Sequence, residues 1–139
     1  MATQSVSIAG PAQLWRLAGS VILQQSLYAA AKLGIADLLN AGLGTASSLA
    51  ARLKVNEQAL LRLMRFRASQ SVFEEAGDGA FANNEVSHYL RSGVCGSLRS
   101  FVIMRGSNMF FAPFGEILYC VEQANPPERN YTARTVSNN

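Results

Sequence analysis

One stretch, Ala12 to Leu33, constrains this chain more than any other. Leu14, Leu17, Val21, Gln25, Tyr28 and Lys32 recur at i, i+3 and i+4, the spacing of an α-helix. Trp15, Ile22, Leu23, Leu27 and Leu33 point to other bearings around the same helix. A helix that is apolar at most bearings is covered on more than one side. In a chain of 139 residues such a helix packs on its own core and on something else. Composition agrees: 49% of the residues are hydrophobic and only 15% charged, against ~25% charged in ordinary soluble domains. An apolar face covered by a second copy, or by another domain, follows from that shortage.

The remainder reads as one mainly α domain. Residues 1–10 are small and polar and read as a flexible leader, and Pro11 suits the first turn of a helix. Gly34 ends the long helix. "IADLLNAG" gives a short second helix with Ile35, Leu38 and Leu39 on its apolar face. Thr45 is an N-cap for a helix from Ala46 to Leu53, "KVN" is a turn, and Asn56 caps a helix that runs to about Ser69. On that last helix Gln58, Arg62, Arg65 and Ser69 share a polar face, with Leu60, Leu63, Met64 and Ala68 opposite. Val72–Ala76 and Ala80–Asn83 read as short strands around a Gly77-Asp78-Gly79 turn. Helix, turn, helix, hairpin is the winged-helix order. "EVSHYLRSG" is a short helix or turn, and residues 96–124 give two further helical stretches interrupted near Gly106–Asn108 and Pro113. Residues 125–139 are polar, lack periodicity and are expected to be disordered.

Chemistry-bearing residues are sparse. His88 is the only histidine, and Glu74 and Glu75 alternate across a strand and cannot act as a pair. "AGLG" at Ala41–Gly44 follows a helix rather than a strand, so it fails the context of a nucleotide-binding loop. No segment shows the strand, glycine loop and helix of a Rossmann unit. We therefore expect no catalytic, cofactor-binding or metal-binding residues in this chain. Cys95 and Cys120 lie outside any CxxC and read as reduced thiols of a cytoplasmic protein. No apolar run approaches the ~20 residues of a membrane span. The net charge of +3 comes without a run of five like charges, which is weak support for nucleic-acid binding.

"YAAAKLGIADLL", "TASSLAARL", "ALLRLMRFRAS", "VFEEAGDGAF", "HYLRSG" and "GSLRSF" occur in an order and spacing that carry a family resemblance. From about Leu14 to Gln123 the chain resembles the N-terminal dimerisation domain of S-adenosylmethionine-dependent small-molecule O-methyltransferases. The resemblance implies a winged-helix-like helical domain over residues 11–124 and an intertwined homodimer. The first helix would pack against the partner, through Leu14, Trp15, Leu17, Val21, Ile22, Leu27 and Tyr28. It also implies that Met104, Met109, Phe110, Phe111 and Phe114 wall a substrate pocket, although the same residues read equally well as core. S-adenosylmethionine and the catalytic histidine belong, in such enzymes, to a Rossmann-like half, so this chain alone is expected to be inactive.

Three positions depart from the family pattern. Arg67 stands where the family has an apolar residue, Ser71 where it has glycine, and Asn83 where it has threonine. A buried unpaired arginine costs several kcal/mol. A non-glycine residue in a left-handed helix exit costs roughly 1 kcal/mol. The departures fit either a specialised stand-alone domain or a remnant under weak constraint. Besides a dimerisation module, the sequence leaves two alternatives. One is a winged-helix DNA-binding regulator using Arg62 and Arg65, disfavoured by the acidic Glu74, Glu75 and Asp78 of its wing. The other is a helper protein that binds a small aromatic metabolite at its Met/Phe-rich wall.

Overall fold

The structure is a computed structural model that describes residues 9–77 and 79–123. The leader before Ala9, Asp78 and the tail beyond Gln123 lie outside the described residues. The chain divides at Ser107/Asn108 into two compact units.

In the first unit the long helix is two helices, α1 (Ala9–Ala18) and α2 (Ser20–Leu33). The expected single helix breaks at Gly19, the residue of that stretch least suited to a helix interior. The described helix also begins at Ala9, inside the expected leader. α2 ends at Gly34, which is left-handed with φ 68°. α3 (Ile35–Asn40) follows, then α4 (Ala46–Leu53) and α5 (Glu57–Ser69).

The caps form as their residue types demand. Thr45 Oγ1 accepts from the Ser48 amide at 3.1 Å while Ser48 Oγ accepts from the Thr45 amide, a reciprocal capping box. Asn56 Oδ1 accepts from the Ala59 amide at 2.9 Å. The turn between α4 and α5 passes through Lys54 in a left-handed conformation, φ 57°.

β1 (Phe73–Glu75) and β2 (Phe81–Asn83) pair antiparallel, Phe73 opposite Asn83 and Glu75 opposite Phe81. The segment before α4 extends the hairpin: the Phe81 amide donates to Gly44 O at 2.6 Å and the Ala46 amide to Gly79 O at 3.0 Å. α6 (Glu85–His88) is a single turn capped by Asn84, and α7 (Arg99–Gly106) closes the unit. The core is built from Ala30, Ala31, Ile35, Leu49, Leu60, Met64, Phe73 and Phe81, all buried. α2 packs on α7, α4 on α5, and α3 on β2. The first and last of these join residues distant in the sequence, while α4 and α5 are neighbours across a short turn.

The second unit holds α8 (Asn108–Phe111), a 3-10 turn (Ala112–Glu116) and α9 (Ile117–Glu122). Pro113 sits in that 3-10 turn, where its missing amide hydrogen is harmless. The mainly helical class with one small hairpin is as the sequence predicts.

Candidate functional site

The most prominent surface feature of the first unit is apolar. α1 has no buried residue. Leu14, Trp15 and Leu17 on α1, and Val21 and Ile22 on the first turn of α2, are all exposed, Trp15 to 83%. A run of large apolar side chains in water marks an association surface. Leu27 and Tyr28, expected in the same interface, are half-buried within their own chain. Leu27 packs against the core. Tyr28 lies against Gly106 of α7, so closely that a Cβ at Gly106 would overlap the tyrosine. Two α2 glutamines hold the same crossing: Gln24 Nε2 donates to Arg105 O at 2.9 Å and Gln25 Nε2 to Gly106 O at 3.2 Å. They satisfy carbonyls at the end of α7 that no helical amide reaches.

Arg67 lies on the core side of α5 and is 3% exposed. Its Nε and Nη2 are sealed from solvent and have no hydrogen-bond partner among the described residues. Its guanidinium stacks 4.8 Å from the centroid of the Phe66 ring. Desolvation lowers its pKa from the ordinary arginine value. Arg67 also lines an open, groove-like cavity of about 560 Å³ between α2, α5 and α7. Leu23, Leu27, Val72, Phe101 and Val102 give that cavity its apolar walls. Ser20, Gln24, Gln70 and Arg105 supply polar groups. Ser71, just after α5, has φ 57°, the left-handed conformation that glycine would adopt without strain. Asn83 donates from Nδ2 to Ala36 O at 2.8 Å, and its buried Oδ1 has no partner among the described residues.

Sequence reasoning missed a polar cluster centred on Arg99. Its Nε donates to Ala31 O at 2.9 Å near the end of α2, and its Nη1 pairs with Asp37 Oδ2 at 3.3 Å. Asp37 also accepts from the Ser92 amide and from Ser92 Oγ, each at 2.8 Å, and Arg99 Nη1 donates to the same Ser92 hydroxyl. One guanidinium thus ties α2, α3, the loop before α7 and α7 together. The only sequence signal was an arginine at the start of a helix, where its charge opposes the local dipole and needs another reason.

The expected substrate-wall residues are divided between the units. Met104 lies exposed on α7 of the first. Met109, Phe110, Phe111 and Phe114 belong to the second, where the Phe110 and Phe114 rings meet at 5.6 Å. Met109 is 87% exposed. His88 is exposed on α6, edge-on to Tyr89. On the polar face of α5, Arg65 Nε is held by Glu75 Oε1 at 3.0 Å. Among the described residues no cluster of ligands suits a metal ion. Among the described residues the two short antiparallel strands form no strand–glycine loop–helix unit. No described helix is long and apolar enough to cross a membrane.

Comparison with known proteins matches this architecture. The O-methyltransferase dimerisation domain matches residues 15–93. The phenazine O-methyltransferase PhzM of Lysobacter antibioticus is 39% identical over 98 residues, covering 70% of this chain and 28% of that enzyme. The phenazine-1-carboxylate N-methyltransferase of Pseudomonas aeruginosa is 34% identical over 86 residues, covering 62% of this chain and 25% of the enzyme. The crystal structure of LaPhzM superposes with a TM-score of 0.77 at 33% identity, covering 83% of this chain and 34% of that one. The chain therefore spans only about a quarter to a third of the length of these relatives. The matched residues are more than half of the sequence, and they carry the caps, the hairpin and the α2–α5 core. The chain belongs to the O-methyltransferase dimerisation domain family.

Proposed function

We propose that this chain joins two methyltransferase copies into a homodimer through the exposed apolar face of α1 and α2. The observation that carries this reading is α1 itself, a helix with no buried residue that presents Leu14, Trp15 and Leu17 to water. Methyl transfer and S-adenosylmethionine binding would belong to a catalytic domain outside these 139 residues. Met109, Phe110, Phe111 and Phe114 of the second unit would add a wall against a flat aromatic methyl acceptor, a role suited to soft methionine and aromatic side chains. We place this activity in the cytoplasm, in keeping with two cysteines that are exposed and unbridged.

Sedimentation velocity tests the dimer. The chain should sediment as a dimer at tens of micromolar, and Trp15→Glu/Ile22→Glu should shift it to monomer. A wild-type monomer throughout that range would refute the reading. Calorimetry with S-adenosylmethionine should give no heat of binding, and micromolar affinity would overturn the assignment of the cofactor elsewhere. A DNA-binding role has little support, because Glu75 already engages Arg65 and the strand beside it is acidic. Titration with random duplex DNA at low salt should show no salt-dependent binding.

A further inference from the structure

We infer that the groove between α2, α5 and α7 receives Trp15 of a second copy of this chain, so that the homodimer is joined ridge into groove and not α1 against α1. The inference rests on the homodimer reading above and says which surfaces meet. The exposed apolar face of α1 and α2 is a ridge of five side chains, Leu14, Trp15, Leu17, Val21 and Ile22. Five are few against the roughly 20–30 residues a side of a stable interface, so the contact spreads onto neighbouring surface. That surface is concave and apolar. A cleft of about 290 Å³ is lined by Trp15, Ile22, Leu23, Phe66 and Gln70. It adjoins the groove of about 560 Å³ at Leu23 and Gln70, which line both, and Leu27, Val72 and Phe101 carry the apolar lining on to α7.

The outer side of α7 is apolar as well. Leu98, Phe101 and Met104 recur at i, i+3 and i+6 and are 53%, 56% and 45% exposed. Val102 and Ile103 of the same helix pack on the core, so α7, like α2, has one apolar side turned inward and another left open. Trp15, 83% exposed on a helix with no buried residue, is the projecting shape that a groove accepts. Two projecting indoles set against each other leave both grooves unfilled, whereas the centre of an interface packs as densely as a protein interior. Seated in the groove, the indole meets apolar walls, and the Ser20 hydroxyl and Gln70 amide on the same lining hold acceptors for its N–H. Tryptophan in a pocket is the commonest form of an interface anchor. Two-fold symmetry makes the contact twice, each copy giving a tryptophan and offering a groove.

Trp15 is the chain's single tryptophan, so the contact can be read by fluorescence. Cys95 and Cys120 are exposed and are replaced by serine in every full-length chain used for labelling. One chain keeps Trp15. The other carries Trp15→Phe and a nitroxide, a short-range quencher, attached at Met104→Cys, and is mixed in excess. Tryptophan emission should be largely quenched on mixing, because the labelled chain has no tryptophan of its own. Phe101→Glu should raise the dissociation constant of the dimer by about 30-fold or more, the loss expected at an interface anchor. Unquenched Trp15 in a mixture that sediments as a dimer overturns this proposal and leaves the homodimer reading standing. So does an unchanged dissociation constant in Phe101→Glu, with folding confirmed by circular dichroism. Quenching by the nitroxide at Ala12→Cys and not at Met104→Cys sets α1 against α1 and overturns it too. A wild-type chain that stays monomeric at tens of micromolar overturns both readings together.

Discussion

Arg67 leaves water and gains the face of Phe66, while its Nε and Nη2 find no hydrogen-bond partner among the described residues. Cation–π attraction offsets part of the desolvation cost and leaves the rest. Arg67→Met should therefore raise stability by about 1–3 kcal/mol in denaturant titration. A loss of stability would reveal an acceptor near Arg67 that the described residues do not supply. Ser71 makes a smaller case of the same kind. Its left-handed backbone is used by Asn84, whose Nδ2 donates to Ser71 O at 3.0 Å. Ser71→Gly keeps that carbonyl and relieves the strain, so the midpoint should rise by the equivalent of about 0.5–1 kcal/mol. Both positions were legible in the sequence as departures from the family pattern. The partner of Arg67 was not, because a wheel reports which side of a helix a residue occupies and says nothing of what stands there.

Between elements, fit is set at the crossing of α2 and α7. Gly106 is the only residue small enough for Tyr28 to lie where it does. Gly106→Ala should force the helices apart and cost about 1–3 kcal/mol or more by thermal unfolding, although alanine is the better helix former. The Arg99 cluster fastens the same region from the other end. Asp37→Ala leaves Arg99 and Ser92 without their shared carboxylate and should cost about 1–3 kcal/mol, read as a lower denaturant midpoint. An unchanged midpoint would show the cluster to be surface decoration. Caps at Thr45, Asn56 and Gly34 could be read directly because each is settled within one helical turn. The pairings Gln24 with Arg105 and Asp37 with Arg99 span 81 and 62 residues, and no local pattern encodes them. The break at Gly19 also escaped the reading, since apolar periodicity runs through it without interruption.

At the scale of the molecule, the low charge content and the all-round apolar first segment announced an association surface. They did not separate residues facing outward from those facing inward. Leu14, Trp15, Leu17, Val21 and Ile22 stand in water, while Leu27 and Tyr28 are half-buried at home. One helical stretch served two destinations, and the boundary between them is a matter of tertiary packing. The conformation of α1 has a further consequence. It is ten residues long and buries none of them. A free peptide helix shorter than about 12–15 residues is marginal in water, so this segment has little reason to stay wound in a solitary copy. Its winding and the meeting of two copies become a single second-order event. Far-ultraviolet ellipticity should then fall on dilution through the dissociation constant, and amide exchange in residues 9–18 should accelerate over the same concentrations. The chain's first ten helical residues would be folded by mass action.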